Sequence, residues 1–206
     1  MGSLMKKSFD ILLIPLFLLL LSCAPTVPIN VSGKNFPDFG VKEITSSMKP
    51  ETVLGKRYFG KFIISIGKPD LYYASDIKPE NFQTFTKVVR EELTDAGYKT
   101  LFQIDDVGKS EARFLISGTI LAMKYNSWVA MGGARYAYDA AVTVRWEVYD
   151  QQKKKIIYSK KTSGSAKDKE MDEFKSGDSS LMFAFRRCFR ELLVSNDLVD
   201  SIVKQL

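Results

Sequence analysis

The chain has 206 residues, with 30 Lys and Arg against 24 Asp and Glu, a formal excess of +6, and no histidine. Without histidine the commonest transition-metal ligand and the commonest general base are both missing, which weighs against a zinc enzyme or a Ser-His-Asp hydrolase. The length suits one domain with a sizeable core, and the mild basic excess predicts a solvated surface or an anionic partner.

The amino-terminal stretch is the most informative. Lys6 and Lys7 precede an apolar run from Ile11 to Leu21, followed by Ser22 and Cys23. A basic region, a short apolar core and a small residue before the cut describe a secretory signal, and the run is too short for a comfortable membrane span. Met1-Gly2-Ser3-Leu4-Met5 opens like a myristoylation site, but Lys6 stands where Ser or Thr is needed. Met5 is an alternative start that changes nothing downstream.

Leu20-Leu21-Ser22-Cys23 resembles the lipobox of bacterial lipoproteins, position by position. The resemblance implies cleavage between Ser22 and Cys23, a diacylglyceryl thioether on the Cys23 sulfur and an acyl chain on the new amino terminus. No cofactor beyond these chains is expected. Two or three acyl chains on one residue hold a protein on a bilayer for its lifetime. Ala24 stands where Asp would retain such a protein at the inner membrane, so the resemblance implies an outer-membrane anchor facing the periplasm. With Cys23 acylated, Cys188 has no partner in the chain, and its apolar helical setting predicts a buried small hydrophobe.

Residues 1–22 are thus expected to be a signal peptide, 23–48 the lipidated cysteine and a tether carrying Pro25, Pro28 and Pro37, and 49–206 a single α+β periplasmic domain. The first strand is expected from Arg57 to Ile66, closed by Gly67 and Pro69. Pro79 in the first turn and apolar Phe82, Phe85, Val89, Leu93 and Ala96 at helical spacing predict a helix that Gly97 ends. A short strand over Tyr98–Ile104 follows, then a long one from Ala112 to about Trp128 in which Gly118 marks a bulge. Gly132 and Gly133 supply a reversal. Tyr138, Ala140, Val142, Val144, Trp146 and Val148 alternate with Asp139, Ala141, Thr143, Arg145 and Glu147, the pattern of a half-buried strand. A polar turn at Asp150 and Lys153-Lys154-Lys155 leads into a strand over Ile156–Thr162, ended by Ser163-Gly164-Ser165. Asp178 or Ser179 is expected to cap a helix over Leu181–Val194, and Ser195-Asn196-Asp197 separates it from a last amphipathic turn or helix over Leu198–Leu206.

These elements predict an α+β fold: a mixed or antiparallel sheet of about four to five strands, with two helices packed on one face and a polar opposite face. No catalytic set is assembled. Asp105-Asp106 and Glu170 to Glu173 lie in polar turn-like segments, and neither a phosphate-binding glycine motif nor a nucleophile elbow occurs. No metal site and no enzymatic activity are expected. Tyr125, Trp128, Arg135 and Tyr136 bracket the glycine loop; they either close the open end of the core or form an interface. Tyr72-Tyr73 leaves the same choice open. Lys153, Lys154 and Lys155 are a candidate contact for anionic lipid or cell-wall polymer, and nucleic acid is not an expected partner.

The lipobox, the order of elements, the stretch from Tyr138 to Glu147 and the ending from Phe185 to Ile202 together resemble small α/β envelope lipoproteins. That layout is similar to transport-system auxiliary lipoproteins, the lipopolysaccharide-assembly lipoprotein, activators of peptidoglycan synthases and curli-type secretion subunits. The resemblance implies a non-enzymatic scaffold or regulator of an envelope machine, with an envelope protein as partner. A lipid or lipopolysaccharide carrier and a subunit of an oligomeric secretion channel are the alternatives.

Overall fold

A computed structural model describes residues 38–61, 64–65, 68–101, 112–129, 136–167 and 180–206. In chain order the elements are β1 (Phe39–Val41), β2 (Thr45–Ser46), β3 (Val53–Lys61), β4 (Ile64–Ser65), β5 (Asp70–Tyr73), a 3-10 turn at Ala74–Asp76, α1 (Pro79–Asp95), β6 (Thr100–Leu101), β7 (Phe114–Val129), β8 (Tyr136–Asp150), β9 (Lys155–Lys167), α2 (Ser180–Val194) and α3 (Asn196–Val203). The class is α+β as expected. The sheet is larger than the four or five strands read from the sequence: nine strands are joined, β4 only as a two-residue hairpin partner of β3. Besides the two expected long helices there is a third, α3, over the stretch read as a last amphipathic turn or helix.

The long strand β7 organises the sheet. Along one edge it pairs antiparallel with β8, which pairs antiparallel with β9. Along its other edge it receives β1, β2 and β3 in turn, all parallel to it, and β6 and β5 extend the sheet beyond β1 and β3. Parallel neighbours joined by a helical crossover explain the extra strands. Two or three residues are enough to pair, yet too few to leave a periodic signature.

This arrangement moves the expected domain boundary. Phe39, Val41 and Ile44 are buried in the core, and Phe39 packs its ring 5.3 Å edge-on to Tyr98. The folded body therefore begins about ten residues before the expected boundary at residue 49, and residues 39–48 belong to the sheet side rather than the tether.

Helix α1 begins as predicted, with Pro79 in its first turn and Asn81 Oδ1 accepting a 3.0 Å bond from the Lys78 N–H. It ends at Gly97, whose φ of 86° is the left-handed conformation that glycine adopts without strain. Its inner face, Phe85, Val88, Val89 and Leu93, meets α2 where the Phe85 and Phe185 rings lie 4.4 Å apart. The face of β8 that carries Val142, Val144, Trp146 and Val148 is buried against α2. The Trp146 ring lies 4.9 Å from Phe189 and 5.7 Å from Phe185.

Two glycines do other work than expected. Gly118 marks no bulge: the register shift falls between Ile120 and Ala122, and a Cβ on Gly118 would lie 2.6 Å from the Trp146 ring. Ser163-Gly164-Ser165 does not end the sheet either, because β9 continues to Lys167. Gly164 is there because α2 crosses it in backbone contact; a Cβ would stand 2.0 Å from the Ala184 carbonyl and 2.4 Å from the Cys188 nitrogen.

Beside that crossing, the core holds one polar knot. The Trp146 indole N–H donates to Thr162 Oγ1 at 2.7 Å, and Thr162 Oγ1 donates its own proton to the Cys188 carbonyl at 2.7 Å. With that proton committed, the 3.1 Å contact between Thr162 Oγ1 and Cys188 Sγ is a bond donated by the thiol. Cys188 is fully buried, and burial pushes its thiol up to about 11. It is the small hydrophobe that the sequence predicts, and its burial keeps it inert.

A charged cluster joins the two long helices. Glu92 is 1% exposed and accepts from Arg186 Nη1 at 2.6 Å and from Arg190 Nε and Nη2 at 2.6 and 2.9 Å. Arg186 also reaches Glu91 at 3.0 Å. Burial alone would lower the Arg186 pKa, but the two glutamates hold it raised.

Candidate functional site

The residues singled out from sequence fall at opposite ends of β8. Backbone pairing sets Trp128 opposite Ala137 and Tyr136 opposite Val129 at the end where β7 runs out. Lys153, Lys154 and Lys155 lie at the turn beyond Asp150, fourteen residues along the same strand. At about 3.3 Å per residue that is roughly 45 Å away, so aromatics and lysines do not form one site. Arg135 and the glycine pair lie outside the described residues, as do Ser22, Cys23, Asp105-Asp106, Glu170 and Glu173.

At the aromatic end the structure brings in residues from three strands. The half-buried ring of Tyr125 on β7 meets Tyr72 of β5 edge-on at 5.0 Å. Arg57 Nε of β3 donates to Tyr72 Oη at 2.7 Å, and Tyr72 Oη shares a 3.0 Å hydrogen bond with the buried Ser127 hydroxyl. The bond to Tyr72 raises the Arg57 pKa further, so the guanidinium is a fixed positive charge at the rim. The Lys56 N–H donates to Asn126 Oδ1 at 3.0 Å, which ties β3 to β7 beside the cluster.

The β3–β5 ribbon also presents Val53, Leu71 and Tyr73, each more than a third exposed. Leu71 and Tyr73 share a face by strand alternation, and Val53 lies opposite Tyr73. Only Tyr72 and Tyr73 were singled out from sequence. The available signal was Asp70-Leu71-Tyr72-Tyr73 following Gly67 and Pro69, the second arm of a hairpin with β3.

The two sheet edges differ. At β9 the Ser163 N–H is taken by Glu191 Oε2 at 3.0 Å and the Ser165 carbonyl by Arg187 Nη1 at 3.0 Å, so α2 closes that edge with its own side chains around Ser163–Ser165. At β5 the exposed residues are Asp70, Leu71 and Tyr73, two of the three apolar or aromatic. Between the edges, the sheet face away from the helices carries Lys124, Asp139, Thr143, Arg145 and Glu147, as expected, with Lys124 and Asp139 paired across strands.

The lysine turn is built on a buried acid. Asp150 is fully buried; its Oδ1 accepts from the N–H groups of Gln152 and Lys153 at 2.9 and 3.1 Å, and its Oδ2 accepts from Arg113 at 3.2 Å. Burial alone would raise the Asp150 carboxyl, but the Lys153 N–H, Arg113 and the Gln152 N–H together hold it below the usual range. Lys154 takes the left-handed conformation, φ 52°, at the tip. The Gln205 carbonyl accepts from Arg113 at 2.7 Å and from Lys153 Nζ at 3.1 Å, which fixes the end of the chain against the turn.

Among the described residues no group of metal-ligating side chains is assembled and no helix is long and apolar enough to cross a membrane. No protein-family model and no curated protein matches the chain. Solved structures do resemble it. A hypothetical protein from Chlamydia trachomatis is 12% identical, with a TM-score of 0.45, over 82% of this chain and 99% of that one. The PelC dodecamer from Paraburkholderia phytofirmans is 13% identical, with a TM-score of 0.40, over 77% and 87%. A lipoprotein from Neisseria meningitidis is 11% identical, with a TM-score of 0.30, over 82% and 97%.

Proposed function

We propose that the chain is a lipid-anchored accessory protein of the bacterial cell envelope, acting without catalysis as a scaffold or regulator of an assembly or transport machine at the outer membrane. The observation that carries the reading is the contrast between the edges. One is closed by α2, while the other offers Val53, Leu71 and Tyr73 beside the Arg57–Tyr72–Tyr125 cluster. Aromatic groups, aliphatics and a fixed arginine at a sheet edge have the composition of interface cores.

The alternatives ask for features that the described body lacks. A carrier needs an apolar cavity, and between sheet and helices that volume is filled by Phe85, Trp146, Phe185 and Phe189. A channel strand needs a lipid-facing apolar band. Strands β7 and β8 are long enough, at 16 and 15 residues, but their helix-free face is charged. A photo-crosslinking residue at Leu71 of the full chain, expressed in a bacterial envelope, is expected to give a discrete adduct with one envelope protein. The same probe at Ser165, on the closed edge, is expected to give almost none; equal adducts from both positions would contradict the reading.

A further inference from the structure

We propose that the end of the body formed by the β8–β9 turn and the last residues of α3 seats directly on an acidic lipid leaflet. The inference deepens the reading above and rests on acylation of Cys23.

The first observation is where the chain enters. Phe39 of β1 lies beside Phe114 of β7, and Phe114 lies opposite Asp150 of β8. The first described residue, Asp38, therefore stands at the same end of the sheet as Lys153, Lys154 and Lys155. The segment leading from Cys23 reaches the body at the lysine turn, not at the aromatic end.

The second observation is what surrounds that turn. Leu206, Val203 and Ile156, at 63, 54 and 53%, are the most exposed large apolar side chains among the described residues. Ile156 opposes Tyr149 on the helix-free face, because a register shift between Val148 and Tyr149 turns it outward. Val203 ends α3 and Leu206 follows it, held against the turn by the bonds of Gln205 to Arg113 and Lys153. The apolar groups thus flank the lysines on both sides, and Lys204 adds a fourth ammonium next to Val203.

The opposing charge at this end is small. Asp150 is buried and engaged by Arg113, which leaves the carboxylates of Asp38, Asp200 and the Leu206 main chain against the four lysines. Exposed aliphatics within a basic rim are the chemistry of a surface that lies on acidic headgroups, whereas a purely charged polymer would leave the aliphatics without a role.

The tether does not impose this pose. Residues 24–37 can reach at most roughly 50 Å, far enough for any face of the body to turn toward the bilayer. Orientation must come from the surface itself. Each lysine near an acidic leaflet favours contact about fivefold, so a few of them select one pose among many.

The test uses the full acylated chain in phosphatidylcholine vesicles containing phosphatidylglycerol. A fluorophore is placed through Val203→Cys, Ile156→Cys or Leu71→Cys; Cys188, buried with its thiol pushed up to about 11, stays unlabelled. Quenching by a lipid-borne nitroxide is expected to be about fivefold stronger at 203 and 156 than at 71, and the ratio is expected to fall toward one when Lys154, Lys155 and Lys204 are changed to Ser. Equal quenching at the three positions in acylated protein would overturn the seating and leave the anchor standing. Protein recovered without acyl chains would overturn the anchor, and the seating with it.

Discussion

Replacing Gly164 with alanine is expected to destabilise the protein by about 3 kcal/mol or more, the upper part of the range for overpacking a core. The new Cβ would lie 2.0 Å from the Ala184 carbonyl, 2.4 Å from the Cys188 nitrogen and 3.0 Å from its Cα, all backbone atoms of α2. No rotamer change relieves such a clash. The helix must rise by about an ångström, and a gap of that size forfeits a quarter to a half of each dispersion contact across it. Those contacts are the ones that Phe185, Cys188 and Phe189 make over Trp146 and Thr162. Urea unfolding followed by near-ultraviolet circular dichroism measures the loss. Ser165→Ala, on an exposed neighbour, is expected to stay within about 0.5 kcal/mol of the parent. A Gly164→Ala protein as stable as the parent would mean that α2 does not rest on β9.

The second large effect is expected at Glu92. Its carboxylate, 1% exposed, receives three bonds of 2.6–2.9 Å from Arg186 and Arg190. Glu92→Ala leaves both guanidiniums without that acceptor between two packed helices. The cost is expected to be about 3 kcal/mol, the low end for a broken buried pair, since Arg190 keeps 42% of its side chain exposed and can rehydrate. Glu92→Gln keeps a carbonyl acceptor and is expected to cost about half as much. Glu92 and Arg190 are in direct contact, so a double-mutant cycle of the two is expected to give a coupling of about 1 kcal/mol or more. Strict additivity would mean that the cluster is decorative.

The sequence made some of this architecture legible and hid the rest for identifiable reasons. Helix α1 was readable because Phe85, Val89 and Leu93 recur at helical spacing between Pro79 and Gly97. The meander was readable because β8 alternates apolar and polar residues from Val142 to Val148. Strands β1 and β2 were not: two or three residues beyond a proline-bearing stretch carry no period, and what makes them strands is β7, some seventy residues away. Gly164 read as a terminator because glycine breaks strands more often than it admits a helix backbone, and only the fold reveals the helix above it.

The candidate surfaces divide in the same way. The lysine turn was visible as a run of charge, but its neighbours Val203 and Leu206 lie some fifty residues downstream and reach it only through Gln205. The open edge was half visible, as Tyr72-Tyr73, whereas Val53 and Leu71 join it only once β3 and β5 pair. Burial of apolar residues is patterned locally, and exposure of them is not.

The account rests on the thiol at residue 23, and metabolic labelling with an alkyne fatty acid in a bacterial host reads it directly. The protein is expected to take up label, migrate at the size of the chain beginning at Cys23 and float with membranes, while Cys23→Ala is expected to carry no label and keep its uncut signal. Label on both proteins, or on neither, would contradict the account.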